Sequence, residues 1–273
     1  MAIASSRESF VSESFLIGSA NDKKTVVIEK STERTALYDP DTNFIILTNH
    51  FQSGPLVNTP LNIENMANRT SVYRHEKIQE LLENDTIISV SEAAAILRNR
   101  SGKSGENIGN GNELAINQLI AHHAIIFEPE KLLFWISTAP WQLGPFIAYD
   151  LESIFNTGNI DTSLFIDDIM IPADPFLHSS QYDDFIYFRQ YADTIARATK
   201  RANALSNEAE IIDEFITSNP EFYQTYAIVG RYYQEMKSFD AALKYYNLAL
   251  TKEISSITEL EKLKRWIEDC RKP

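Results

Sequence analysis

From Ser14 to Phe51 apolar and polar positions alternate in short runs broken by turn residues. Ser14 to Ala20, Thr25 to Ser31, Thr35 to Tyr38 and Phe44 to Asn49 are rich in β-branched and aromatic residues, the composition of half-buried strands. Asn21-Asp22-Lys23-Lys24 and Asp39-Pro40-Asp41-Thr42 lie between them and carry turn chemistry. The pattern predicts a meander of antiparallel strands. At Ser71 the period changes: Val72, Ile78, Leu81 and Leu82 fall near helical spacing, so a helix is expected over Ser71 to Glu83. A second is expected from Ser91, with Ser91 as N-cap and Ala93 to Leu97 inside it.

Ser101 to Asn112 is rich in Gly, Asn and Ser and reads as a mobile loop. Strands return over Gln118 to Glu128 and Leu132 to Ser137, joined by a hairpin turn at Glu128-Pro129-Glu130-Lys131. Pro140, Pro145, Pro172 and Pro175 then punctuate an extended, aromatic-rich stretch. A domain boundary is expected within it, near Asp150 to Pro175. The rest is helical, with amphipathic runs over Tyr182 to Ser206 and Asn207 to Ser218 and a break at Asn219-Pro220. This gives a first domain over 10–150, a linker over 151–181 and a helical segment over 182–273.

Within that segment, Tyr223 to Lys252 resembles one tetratricopeptide repeat. Tyr226, Gly230 and Tyr233 mark its first helix, and Phe239, Ala242, Tyr246 and Ala249 its second. Small Gly230 and Ala242 let two helices approach while aromatics fill the groove. A single repeat cannot bury both of its faces, so the hairpin is expected to pack on neighbouring structure.

The 273 residues carry 25 Lys+Arg against 38 Asp+Glu, a formal charge of −13. Such a field argues against nucleic acid or an anionic membrane as the main partner. No apolar run is long enough to span a bilayer, and Met1 to Phe10 lacks the apolar core of a secretory signal. The single cysteine, Cys270, excludes an internal disulfide and a multi-Cys metal site. It leaves the compartment open.

Candidate chemistry centres on two residues. Asn49 closes the run Leu47-Thr48-Asn49-His50-Phe51, where a carboxamide at a strand exit can donate to a developing oxyanion. Asn is also a favoured turn residue there. Arg74, in Thr70-Ser71-Val72-Tyr73-Arg74, stands near a helix start, where the helix dipole disfavours a cation. A carboxylate partner, a substrate or a thiolate would explain it, as would a solvated helix face. His50 follows Asn49 and should point to the opposite face of a strand, toward packing or surface. His122-His123 would likewise face opposite ways, and His75 and His178 lack ligand-spaced neighbours, so no metal and no cofactor are expected. Gly102-Lys103-Ser104 lacks the first glycine of a phosphate loop, with Leu97 in its place. Glu128, Glu130, Asp167 and Asp168 read as solvated acids, and Asp183-Asp184 as favourable at a helix N-terminus.

Taken together, Val26-Val27-Ile28-Glu29, Leu47-Thr48-Asn49-His50-Phe51 and Ser71-Val72-Tyr73-Arg74 resemble, in order and separation, the penicillin acyltransferase-like branch of the N-terminal nucleophile (Ntn) hydrolases. Choloylglycine hydrolase and acid ceramidase are relatives of that branch. The resemblance covers about residues 10 to 150. It implies an α+β protein: part of an αββα sandwich followed by an all-α segment. It also implies acyl transfer or hydrolysis at amide bonds, with Asn49 as oxyanion donor and Arg74 beside the nucleophile. The substrate would be a small acyl amide or acyl thioester. In such enzymes a Cys exposed by self-processing attacks the carbonyl, with its own α-amine as base. In that branch the nucleophile strand and its first sheet lie N-terminal to the matched stretch, and Met1 to Arg7 does not supply them. The chain is therefore expected to be the C-terminal part of such an enzyme, inactive alone. A missing N-terminal segment or a separate subunit would complete it. The alternative is a non-catalytic interaction protein that uses the helical hairpin to hold a partner.

Overall fold

A computed structural model describes residues 2–83, 87–156 and 164–272. It is mixed α/β, with two antiparallel sheets and a helical C-terminal part. The contacts divide the chain into two compact units, Met1–Gln79 and Glu80–Pro273. The span 10–150 therefore contributes to both.

The first unit opens with a short helix, α1 (Ala2–Ser5), and a three-stranded meander of β1 (Glu13–Ser19), β2 (Lys24–Lys30) and β3 (Thr35–Tyr38). Val27, Ile28 and Ala36 are buried in it. So are two charged residues at the end of β2, Glu29 and Lys30. The Lys30 ammonium donates to the carbonyls of Ala4 and Arg7, which ties the N-terminal residues to the sheet. The fourth strand expected over Phe44 to Asn49 belongs to neither sheet. Its place in the fold is set by side chains instead: Gln52 Nε2 donates to the Ile46 carbonyl at 2.8 Å. Three helices follow, α2 (Gly54–Val57), α3 (Pro60–Ala67) and α4 (Thr70–Leu82). Pro55 and Pro60 stand in the first turns of α2 and α3, where a missing N–H costs nothing. The helix expected over Ser71 to Glu83 is α4.

In the second unit, α5 (Val90–Leu97) is capped by Ser89 rather than Ser91. Ser89 Oγ accepts from the Glu92 N–H, and the Glu92 carboxylate accepts from the Ser89 N–H at 2.7 Å. This is a capping box, and the Ser89–Glu92 spacing is its sequence signature. The strand expected from Gln118 begins only at Ile125. The four-stranded sheet runs β4 (Ile125–Glu128), β5 (Leu133–Ser137), β6 (Phe146–Asp150), β7 (Phe165–Ile171), with α6 (Leu151–Asn156) after β6. Its β4–β5 hairpin turns at the predicted residues. Strands β6 and β7 lie in the stretch read as extended and partly as linker; 157–163, within that linker, lie outside the described residues. One face of the sheet buries Ile126, Trp135, Ala148 and Ile171 against Ala94 of α5. On the other, Phe127, Phe134, Tyr149 and Phe165 are cross-strand neighbours in register.

The Asn-rich segment from Ser101, expected to be mobile, is locked in place. Asn112 and Asn117 are buried. Asn112 Nδ2 donates to the carbonyls of Ile108 and Glu253, and its Oδ1 accepts from the Leu114 N–H. Asn117 does the same with Trp141 and Leu119. Asn110 and Asn219 exchange two hydrogen bonds. Carboxamides thus replace the sheet or helix partners that a buried irregular backbone lacks. Arg98 acts alike, donating to the carbonyls of Gln142, Gly144 and Pro172.

Five helices complete the chain: α7 (Ser180–Arg201), α8 (Glu208–Ser218), α9 (Tyr223–Glu235), α10 (Phe239–Ala249) and α11 (Ile257–Arg271). The α9–α10 pair is the helical hairpin read from the sequence. It does not stand alone, since α9 packs on α7 and α10 on α11. Gly230 is required where α9 crosses α10: a Cβ there would lie 2.6 Å from the Tyr246 ring. Tyr223, Tyr232 and Tyr246 are fully buried, each with its hydroxyl hydrogen-bonded.

Two glycines separate conformational strain from crowding. Gly105 has φ +76° and open space around its absent Cβ, whereas Gly109 has φ +79° and the Phe222 backbone at 2.5 Å. Gly105→Ala should cost about 1 kcal/mol and Gly109→Ala about 3 kcal/mol or more, read from denaturant midpoints. Equal losses would show that the left-handed backbone, and no clash, sets both.

Candidate functional site

The N-terminal unit holds an open cleft of about 1290 Å³. Its lining includes Thr48, Asn49, His50, Asn65 and Arg74, together with the start of β1 and the β2–β3 turn. The chain reaches this cleft through the segment from Leu47 to Ser53, which has no ladder to hold it. Three side-chain groups hold it, two of them buried. The Glu29 carboxylate, wholly shielded from solvent, accepts from the N–H groups of Gln52 at 2.6 Å and Ser53 at 2.9 Å. Asn62 accepts from the Phe51 N–H at 2.7 Å and donates to the Phe51 carbonyl at 3.0 Å, copying a strand partner. Asn65 donates to the Asn49 carbonyl. Five consecutive residues, Asn49 to Ser53, are fixed by these bonds and the burial of His50.

The two residues singled out in the sequence meet. Arg74 Nη2 donates to Asn49 Oδ1 at 2.8 Å, and Arg74 Nε to the Thr70 carbonyl at 3.3 Å. The guanidinium has no acceptor atom, so the Asn49 atom facing it must be the oxygen. The Nδ2 end is left without a hydrogen-bond partner among the described residues. An arginine near a helix start is thereby given an acceptor, and an exposed amide is given one orientation.

His50 is buried beside this pair. Its Nδ1 lies 2.9 Å from Ser71 Oγ and 3.1 Å from Thr48 Oγ1, and Ser71 Oγ donates to Thr48 Oγ1 at 3.1 Å. Ser71 is fully buried, so its hydroxyl braces the imidazole and is not presented to the cleft. The His75 ring sits 5.6 Å from that of His50. Burial pushes both imidazoles below their ordinary pKa, and for His50 the neighbouring His75 and Arg74 push the same way while Glu29 opposes. Both therefore stand neutral near pH 7.

Asn62, the anchoring bonds of Glu29 and the contacts joining Thr48, His50 and Ser71 were not read from the sequence, although Glu29, Thr48, His50 and Ser71 stood in its motifs. Glu29 had a signal, an acid ending the apolar run Val26-Val27-Ile28. Asn62 had none, because one carboxamide in a short helix looks like any other. His122 and His123 fall before β4, in irregular chain, and both are exposed. Among the described residues no three His, Cys, Asp or Glu side chains group as a metal would require, and no helix is long and apolar enough to cross a membrane. Cys270 is buried, and burial raises its thiol pKa, the reverse of an activated nucleophile.

Comparison with known proteins gives no match for this chain among protein-family models, curated proteins or solved structures.

The imidazole cluster makes stability depend on pH. The unfolded chain takes up protons at His50 and His75 near pH 6.5, while the folded imidazoles, with lowered pKa, stay neutral. Stability is thus full above about pH 6.5 and falls as pH drops from there toward the lowered native values. The double variant His50→Gln, His75→Gln should flatten the urea-midpoint profile between about pH 7 and 5. A profile as steep as that of the parent would assign the dependence to other groups.

Proposed function

We propose that this chain is the oxyanion-binding portion of an Ntn-type acyltransferase or amide hydrolase that acts on carbon–nitrogen bonds through a Cys nucleophile the sequence does not contain. The observation that carries the proposal is the Arg74–Asn49 hydrogen bond at 2.8 Å within an open cleft. It leaves Asn49 Nδ2 as a fixed donor with no acceptor among the described residues. That is what a tetrahedral intermediate needs: a donor placed before charge develops, so that little reorganisation is required when it does. The adjacent guanidinium adds positive potential where the oxyanion, or a nucleophile thiolate, would sit.

In this scheme the thiolate adds to the acyl carbon and the carbonyl oxygen becomes the oxyanion that Asn49 receives. Collapse of the intermediate breaks the carbon–nitrogen bond, and the leaving amine takes a proton from the nucleophile's own α-ammonium. Water or another amine then accepts the acyl group. His50 stays outside these steps: held by Ser71 and Thr48, it fixes the backbone that carries Asn49. The αββα sandwich is the architecture we propose for the complete enzyme, and the two antiparallel sheets are the kind of element it requires.

The test is a product extended with a Cys-bearing N-terminal segment, assayed on N-acyl amino acids and β-lactam amides. Cleavage before the Cys and turnover that the 273-residue chain lacks are expected. In that enzyme Asn49→Ala should lower kcat by about 100-fold or more. A loss under about threefold would remove Asn49 from the oxyanion role, given that deleting one such donor ordinarily costs far more.

A further inference from the structure

A second concave site lies among the C-terminal helices and shares no residue with the cleft. It holds about 560 Å³, within the range that suits a small organic ligand. α9 packs against both α7 and α11, and all three line the site. Its apolar surface comes from Ala196 of α7, Ala227 and Ile228 of α9 and Trp266 of α11. Around this surface stand Lys200, Arg231 and Lys262, against two carboxylates, Glu235 and Glu259.

The carboxylates are already engaged. Arg231 pairs with Glu235 at 2.5 Å and Lys262 with Glu259 at 3.4 Å, each within one helix. Lys200 has no acidic partner among the described residues. One net positive charge therefore lines this site on a chain whose formal charge is −13. The cations also gather at the ring: Arg231 lies 5.5 Å and Lys262 4.9 Å from the Trp266 centroid, and Tyr246 stacks on the same indole at 5.6 Å. Trp266 is thereby held in place, with positive potential beside an apolar wall. An anion gains from that potential most when its body also displaces water from the wall.

We propose that this site binds a small organic anion, a carboxylate on an aromatic or branched apolar body. The head meets Lys200 and Lys262, which come from different helices, and the body lies on Ala227, Ile228 and Trp266. The proposal is independent of the acyltransferase reading, since a catalytically silent chain would bind the same ligand.

Isothermal titration calorimetry of the full chain with 4-phenylbutyrate, beside uncharged 4-phenylbutan-1-ol, tests it at low ionic strength. Saturable one-site binding of the carboxylate is expected, at least about tenfold tighter than the alcohol, and weakened by salt. Lys200→Gln with Lys262→Gln should remove that advantage. Thr199→Trp, which fills the site from α7 and spares both lysines, should abolish binding with the unfolding midpoint unchanged. Equal affinity for acid and alcohol overturns the proposal, as does carboxylate binding that survives both variants. Binding of a polyglutamate peptide where 4-phenylbutyrate fails also overturns it, in favour of an acidic polypeptide partner.

Discussion

The N-terminal unit depends on one buried carboxylate. Glu29 stands next to last in β2, has no solvent exposure, and places both of its oxygens on consecutive backbone N–H groups, those of Gln52 and Ser53. A buried charge without partners would cost several kcal/mol, whereas charge-assisted bonds of this length are among the strongest a protein makes. The effect is to fasten a segment that belongs to no sheet. Asn62 holds the residue before it and Asn65 the carbonyl of Asn49. The Asn49 amide is consequently presented from a fixed backbone, and Arg74 then selects which end of it faces outward. A site on irregular chain needs this second layer, because a donor misplaced by about 1 Å loses most of its value.

The second unit solves a related problem by another route. Its aromatic core, from Phe185 and Phe188 through Phe215 and Phe222 to Tyr246, lies between helices that must approach closely. Gly230 permits the approach of α9 to α10, and Gly109 brings the Asn-rich loop against Phe222. The loop's backbone is satisfied by carboxamides, so a segment with little regular structure becomes part of the core. Both units place irregular chain where it matters and hold it with buried amides or carboxylates.

What was legible in the sequence follows from this. Periodicity found β1 to β3, α4, the β4–β5 hairpin and the C-terminal helices, because burial on one face repeats every two or 3.6 residues. It overextended the strand before β4 and invented one over Phe44 to Asn49. β-branched and aromatic residues there bury singly, as Ile46 does, without joining a ladder. Strands β6 and β7 were obscured by flanking prolines and by a bulge between Phe146 and Ala148 in their pairing. The Asn-rich loop misled because composition reports what a free chain would do, while Asn112 and Asn117 find partners far along the sequence. In the cleft, motif order drew attention to Asn49 and Arg74. Their contact across 25 residues, and the role of Glu29 beneath them, required the fold.

The most direct test of the proposed chemistry needs no nucleophile. A phosphonamidate carries the tetrahedral geometry and negative charge of the intermediate, and its parent N-acyl amino acid carries neither at the acyl carbon. Their affinities for this chain can be compared, with Asn49→Ala as the control. If Asn49 and Arg74 form an oxyanion site, the phosphonamidate binds at least about 100-fold tighter than the amide, as transition-state analogues do, and Asn49→Ala removes most of that difference. Equal binding of the two compounds, or a preference untouched by Asn49→Ala, would contradict the assignment.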